Sequence, residues 1–195
     1  RARFPGGGFT ILASGGEEGS GRCWDPSAGR SLGVVATPLG GGRAVAWSPD
    51  GRKLASSGMD GVVRLQDQPD GMWRELTAHE SYVKALAWSP DGALLASGDA
   101  DHTVRVWDPR SDMCVLVLEG HEDEVSVLAW SPDGRYLASA GQDACVRIWD
   151  AGTGECIREC RGHRFWIFAL AWSPDSAHVV SGAGDSAVIL WSVDP

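Results

Sequence analysis

Histidine, serine and aspartate recur along the chain at spacings that suit nucleophilic chemistry. His79, Ser97 and Asp101 form one such set, and together they offer the base, the hydroxyl and the carboxylate of a Ser-His-Asp triad. The same three residue types return 42 residues later, and again after a further 42 residues. Because an active site is normally built once, this recurrence favours a structural role for the trio over a catalytic one.

Other motifs for catalysis or cofactor binding are missing from the sequence. It contains no P-loop, no zinc-protease helix and no dinucleotide fingerprint. No Cys-x-x-Cys pair is present, so a zinc site has no starting ligands. Cys156 and Cys160 would lie roughly 13 Å apart along a strand, too far for a disulfide. The sequence therefore predicts a non-enzymatic, intracellular protein, with a cytoplasmic setting, no cofactor and no metal.

Composition indicates a folded domain and limits the classes of partner that the chain is expected to bind. The chain has 195 residues, 43% of them apolar, and a formal net charge of −9. A chain this apolar is able to build a core rather than remain disordered. The acidic balance disfavours nucleic acid, whose phosphates require a basic face, and it disfavours anionic membranes. We therefore expect a protein or peptide partner.

Three interleaved motifs divide the chain with one period. Trp-Ser-Pro-Asp occurs four times, Trp-Asp or a variant five times, and Gly-His or Ala-His three times, with members 41 or 42 residues apart. The motifs begin at Trp47, Trp88, Trp130 and Trp172, at Trp24, Gln66, Trp107, Trp149 and Trp191, and at His79, His121 and His163. Between them, short apolar and β-branched runs alternate with turn residues, and Ser-Pro-Asp-Gly fits a type I turn. Each period therefore predicts four short strands and no helix.

This period, with Gly-His at one end and Trp-Asp at the other, resembles the WD-repeat β-propeller family. The resemblance implies an all-β chain of four-stranded antiparallel blades that stack radially, each stabilised by its neighbours. About 4.6 repeats fit: 1–36 as a partial blade, 37–78, 79–120 and 121–162 as complete repeats, and 163–195 without its outer strand. We expect a segment of a larger, seven-bladed propeller. An open array also predicts self-association or completion by another chain.

The resemblance further implies a structural network in each blade. Aspartate would accept from the imidazole, the imidazole would reach the serine, and the serine would reach the indole N–H. The expected networks are His79, Ser97, Asp101 and Trp107, then His121, Ser139, Asp143 and Trp149, and then His163, Ser181, Asp185 and Trp191. In the second blade Pro38 and Gln66 replace histidine and tryptophan, and in the first blade Glu18 replaces aspartate. We expect these two blades to be the less stable ones.

The loop after each histidine varies while the network positions stay constant, a pattern typical of a binding surface. These loops carry Tyr82, then Glu122, Asp123 and Glu124, then Arg164, Phe165 and Trp166. Aromatic residues and arginine dominate the energetics of interfaces, and Trp166 lies outside the tryptophan register. Trp73, also outside it, aligns with outer-strand positions and is expected to pack between blades. The alternative for the loops is that Trp166 packs on its neighbours and the charges are solvated.

Two functions remain open at this point. The first is a non-enzymatic scaffold that binds a protein or peptide through the loops at one rim of the propeller. The alternative is a substrate receptor of a cullin-type ubiquitin ligase, because Trp107-Asp108-Pro109-Arg110, with Asp101 and Val104 before it, resembles the box that such receptors carry. In that resemblance Arg110 would meet the ligase adaptor. Loss of adaptor binding on Arg110→Ala would separate the two.

Overall fold

The computed structural model describes residues 2–3, 10–14, 20–25, 28–36, 44–68, 71–77 and 79–193. These residues form antiparallel sheets joined by turns. The first two sheets comprise β1 (Ala2–Arg3), β2 (Thr10–Ser14), β3 (Ser20–Asp25) and β4 (Arg30–Ala36), then β5 (Ala44–Trp47), β6 (Lys53–Ser57), β7 (Val62–Asp67) and β8 (Trp73–Thr77). Within this described part of the chain, no helix is long and apolar enough to cross a membrane.

Three further sheets follow in chain order. They comprise β9 (Val83–Trp88), β10 (Leu95–Asp99), β11 (Val104–Asp108) and β12 (Met113–Leu118), then β13 (Val125–Trp130), β14 (Tyr136–Gly141), β15 (Cys145–Asp150) and β16 (Cys156–Arg161), then β17 (Ile167–Trp172), β18 (His178–Ala183) and β19 (Val188–Ser192). In every sheet the spatial order of the strands follows the chain. The prediction of an all-β chain of four-stranded antiparallel blades is therefore confirmed.

The Ser-Pro-Asp-Gly segments form the predicted tight turns. The backbone N–H of Gly134 donates to the carbonyl of Ser131 at 2.9 Å, and the Ser131 hydroxyl bonds Asp133 Oδ1 at 2.6 Å. Gly134 has a φ of +74°, a conformation that glycine adopts without steric cost. In the last turn of this series Ser176 takes that place at a φ of +61°. The turn at Ser176 therefore keeps the same backbone conformation although serine replaces the glycine.

The hydrophobic core lies between neighbouring sheets. One cluster joins Val104 and Val106 of β11 to Val125 of β13 and Trp149 of β15. The next cluster joins the sheet of β13–β16 to the sheet of β17–β19 in the same way. A single sheet of this size has no apolar partner of its own, so each blade depends on its neighbour for burial.

Three of the four tryptophans that open the Trp-Ser-Pro-Asp strings, Trp88, Trp130 and Trp172, connect one sheet to the sheet before it. The indole N–H of Trp130 donates to the carbonyl oxygen of Ala87 in β9 at 3.0 Å. Trp88 and Trp172 donate to the corresponding carbonyls of their preceding sheets at 3.1 and 2.9 Å. The strands β5, β9, β13 and β17 therefore lie side by side.

Candidate functional site

The sheet of β13–β16 contains a continuous chain of buried polar groups. His121 places Nδ1 2.7 Å from Asp143 Oδ2 and Nε2 2.7 Å from Ser139 Oγ. The indole N–H of Trp149 donates to the same hydroxyl oxygen at 2.7 Å. If Nδ1–H donates to the carboxylate, Nε2 accepts from the serine hydroxyl, which accepts from the indole. Each group then has a partner, and the strands and the loop after β12 are held together.

The sheet of β17–β19 repeats this arrangement. His163 lies 3.1 Å from Asp185 Oδ2 through Nδ1 and 2.7 Å from Ser181 Oγ through Nε2, and the Trp191 indole donates to that oxygen at 2.8 Å. The serine in each network is almost completely buried, and its hydroxyl contacts both the histidine ring and the tryptophan indole. A substrate therefore has no access to the hydroxyl as a nucleophile in this arrangement, and the geometry is that of a structural network.

Asp101 does not occupy the place predicted for it. In the sheet of β9–β12, Nδ1 of His79 lies 2.6 Å from Asp99 Oδ2, and both side chains are fully buried. The expected pairing of His79 with Asp101 is therefore corrected to Asp99. The physical reason is that this blade has an extra carboxylate. Gly141 and Ala183 occupy the position of Asp99 in the next two blades and have no side-chain acceptor to compete for the histidine.

The other members of that network lie where the repeat places them. Ser97 Oγ lies 2.6 Å from Nε2 of His79 and accepts from the Trp107 indole at 2.8 Å. Asp101 accepts from the Thr103 hydroxyl at 2.6 Å. Burial raises the pKa of Asp99. Although burial opposes the shift, hydrogen bonds from Asp99 and Thr103 lower the pKa of Asp101 to about 2. The two carboxyl groups thus differ strongly in their tendency to hold a proton.

The second blade has the serine of the network without its partners. Ser56 is fully buried, and within the described part of the chain its hydroxyl has no hydrogen-bond partner. Gln66, which stands where the tryptophan would be, donates instead to the carbonyl of Gly71 at 3.0 Å. Pro38 and Glu18 lie outside the described residues. The prediction that the first two blades are less stable stays a prediction.

The loops after His79 and His121 contact each other. The Tyr82 hydroxyl donates to Glu124 Oε1 at 2.6 Å, and Lys84 and Gln142 bind the other oxygen of the same carboxylate. Lys84 reaches this position because a β-bulge between Val83 and Ala85 breaks the register of β9 with β10. Of the residues predicted to bind a partner, Tyr82 and Glu124 are thus half-buried and joined to one another across two blades.

More exposed side chains surround this contact. The Glu122 carboxylate is exposed and pairs with Arg161 at 3.1 Å. Asp123 accepts from the backbone N–H of Glu124 at 2.8 Å, which fixes the loop. Charges of both signs therefore lie side by side in the loop after β12 and at the end of β16.

The loop after His163 presents aromatic surface. Phe165 and Trp166 are stacked with ring centroids 5.3 Å apart, and they remain 49% and 44% exposed. Phe165 packs closely on Gly184, where a Cβ would meet its ring. Arg164 is exposed beside them, and its backbone N–H donates to Asp185 at 2.8 Å. The loop backbone is therefore fixed by the polar network while its side chains face solvent.

The remaining predicted positions lie apart from these loops. Arg110 is exposed in the turn between β11 and β12, where its backbone N–H donates to Asp108 at 2.9 Å. Trp73 is half-buried in the outer strand β8. Next to it, Arg74 contacts the carbonyl of Pro109 at 3.2 Å and thereby joins β8 to the following blade.

Comparison with known proteins identifies the repeat. A family model described as "WD domain, G-beta repeat" matches residues 43–67, 72–108, 112–150 and 154–192. These four matches cover more than half of the chain. A comparison with curated proteins gives no match.

Proposed function

The chain belongs to the WD-repeat family, and we propose that it acts as a non-enzymatic scaffold that binds a protein or peptide through the loops following its histidines. Interaction with other proteins is the general role of this family. A scaffold needs rigid loops with variable side chains, and the polar networks hold these loops by their backbones. The formal charge of −9 is consistent with a protein partner rather than a nucleic acid.

The observation that carries this proposal is the exposed pair of Phe165 and Trp166. Stacked aromatic rings bury a large area on binding at a small cost in side-chain entropy. Arg164 adds a charged, hydrogen-bonding group at the edge of the rings. The nearby pair of Glu122 and Arg161 offers charges of both signs, which would orient a partner rather than supply most of the affinity.

Peptide selection against the intact protein tests this proposal. Phage-displayed peptides selected on the wild-type chain would be measured by fluorescence polarisation against Trp166→Ala. We expect at least a tenfold loss of affinity, as for a buried aromatic anchor, with a change in melting temperature below about 3 °C. Met113→Ala is the matched control, because Met113 is 62% exposed on the outer strand β12.

Two results would contradict the proposal. Unchanged peptide affinity in Trp166→Ala would show that the aromatic pair does not bind the peptides. A large fall in melting temperature would show that Trp166 stabilises the fold instead.

A role as a substrate receptor of a cullin-type ubiquitin ligase is the second candidate. It is favoured by the exposure of Arg110, since adaptor binding through this residue requires a free guanidinium. Co-purification of a cullin adaptor with the wild-type chain, lost in Arg110→Ala and kept in Trp166→Ala, would support this role. Retention of the adaptor by Arg110→Ala would refute it.

A further inference from the structure

A buried cluster in the sheet of β9–β12 has the chemistry of a metal site. One ring nitrogen of His79 and one carboxylate oxygen from each of Asp99 and Asp101 all lie within 4.8 Å of one another. We propose that these three side chains bind one divalent transition-metal ion, with Zn²⁺ as the ion of best-matched chemistry. The other described blades with a complete network have glycine or alanine in place of Asp99, so the site would be specific to this blade.

Two buried atoms of the cluster form no regular hydrogen bond. Nδ1 of His79 and Oδ2 of Asp99 approach to 2.6 Å, yet neither atom forms a hydrogen bond of acceptable geometry. Both side chains are fully buried, so water does not replace the missing partner. In the next blade the corresponding Nδ1 of His121 forms a regular hydrogen bond with Asp143. The lone pairs of His79 Nδ1 and Asp99 Oδ2 are therefore available to a ligand that lies beside both.

The charge environment of the cluster differs from that of the next blade. A buried carboxylate needs a partner of opposite charge, because an unpaired buried charge is costly. In the next blade Arg147 supplies the balance, because Nη1 lies 3.0 Å from Asp143. The corresponding residue here is Arg105, which forms no ion pair within the described part of the chain and has a buried, unpartnered Nε. A divalent ion would supply beside Asp101 the positive charge that Arg147 supplies beside Asp143.

The surroundings suit zinc coordination. Imidazole nitrogen and carboxylate oxygen bind Zn²⁺ at about 2.0–2.2 Å, so bound ligand atoms would separate to about 3.4 Å. Small side-chain rotations of His79 and Asp99 would provide that spacing. Ser97 already holds Nε2 of His79 at 2.6 Å and would fix the ring in the coordinating orientation. Asp101 is only half-buried and Glu80 beside it is exposed, so the ion and a fourth water ligand could enter from the loop side.

Zinc titration of the intact chain tests the inference. After treatment with EDTA and buffer exchange, ZnCl₂ would be added in isothermal titration calorimetry and in thermal melts. We expect one equivalent to bind, and we expect the melting temperature to rise by about 5–10 °C at a hundredfold excess over Kd. Asp99→Gly should abolish both effects, while its fold is kept because Gly141 occupies this position in the next blade.

Further variants guard against misfolding and against surface sites. Asp99→Asn keeps the shape of the side chain and should weaken zinc binding at least tenfold with an unchanged far-ultraviolet circular dichroism spectrum. Cys156→Ala removes an exposed thiol and should leave zinc binding unchanged. Absence of binding by the wild-type chain, or equal binding by the wild-type chain and both Asp99 variants, would overturn the inference.

Discussion

Replacement of Ser139 by alanine tests whether the buried polar network stabilises the fold. Its hydroxyl accepts from the Trp149 indole and contacts Nε2 of His121, both at 2.7 Å. Ser56 provides a matched control, because it has the same place in the repeat and is also fully buried, but its hydroxyl has no partner within the described chain. The two substitutions remove the same atom from equivalent, fully buried positions of two blades, and they differ in the hydrogen bonds that this atom makes.

The expected difference follows from the groups left behind. Ser139→Ala leaves one indole N–H and one imidazole nitrogen buried without a partner, and each such group costs about 1–3 kcal/mol. We therefore expect a loss of about 3 kcal/mol, which for a chain of this size lowers the melting temperature by about 6–12 °C. Ser56→Ala removes a buried hydroxyl that already lacks a partner, so its free energy of unfolding should be unchanged or slightly higher.

Urea denaturation followed by tryptophan fluorescence measures both variants, with equal m-values required before their midpoints are compared. If Ser139→Ala and Ser56→Ala shift the midpoint by the same amount, the hydrogen bonds add no net stability. The assignment of the recurring histidines and serines to a structural role would then be refuted.

Three further predictions concern turn backbone conformation, a close backbone contact and the pH dependence of stability. Ala144→Gly should raise the free energy of unfolding by about 0.5–1 kcal/mol, because a φ of +57° is strained for alanine. Gly61 has the same place in an earlier repeat and a φ of +73°, so Gly61→Ala should lower the free energy of unfolding. Urea denaturation midpoints measure both effects. Gly141→Ala should cost about 3 kcal/mol or more in thermal melts, because its Cβ would overlap the carbonyl oxygen of Glu124. Although burial opposes it, the hydrogen bond and charge of the facing imidazole lower the pKa of Asp143 to about 2. Its stabilisation is therefore complete above about pH 4 and is lost as the pH falls through about 2, and Asp143→Asn should flatten this part of the urea-measured stability profile.

The repeat made much of the fold predictable. Strand-forming runs and Ser-Pro-Asp turns are local signals, and their return every 42 residues places the same four strands in each period. The partners of His121 and His163 follow from the same periodicity, since each network lies within one sheet and its loop. Such contacts are set by position in the repeat, which the sequence displays directly.

Two kinds of contact could not be predicted from the sequence: those made by residues that depart from the repeat, and those between neighbouring sheets. The pairing of His79 with Asp99 does not follow from the repeat, because the aligned positions, Gly141 and Ala183, carry no side-chain acceptor; the Asp99-Ala100-Asp101 string is the one local signal for it. The bond from Trp130 to the backbone of Ala87 joins two sheets, and no sequence pattern marks a carbonyl as an acceptor. The link between Tyr82 and Glu124 depends on side-chain reach across two loops, which only the packed sheets determine.

The bonds between tryptophan indoles and preceding sheets have an evolutionary consequence. The sheets of β9–β12 and β13–β16 each contain a tryptophan donor for the sheet before them and, at the residue preceding it, a carbonyl acceptor for the sheet after them. Duplication of one 42-residue unit within the gene would therefore insert a blade already complementary to both of its new neighbours. The number of repeats can therefore change between lineages without a new type of contact between neighbouring sheets.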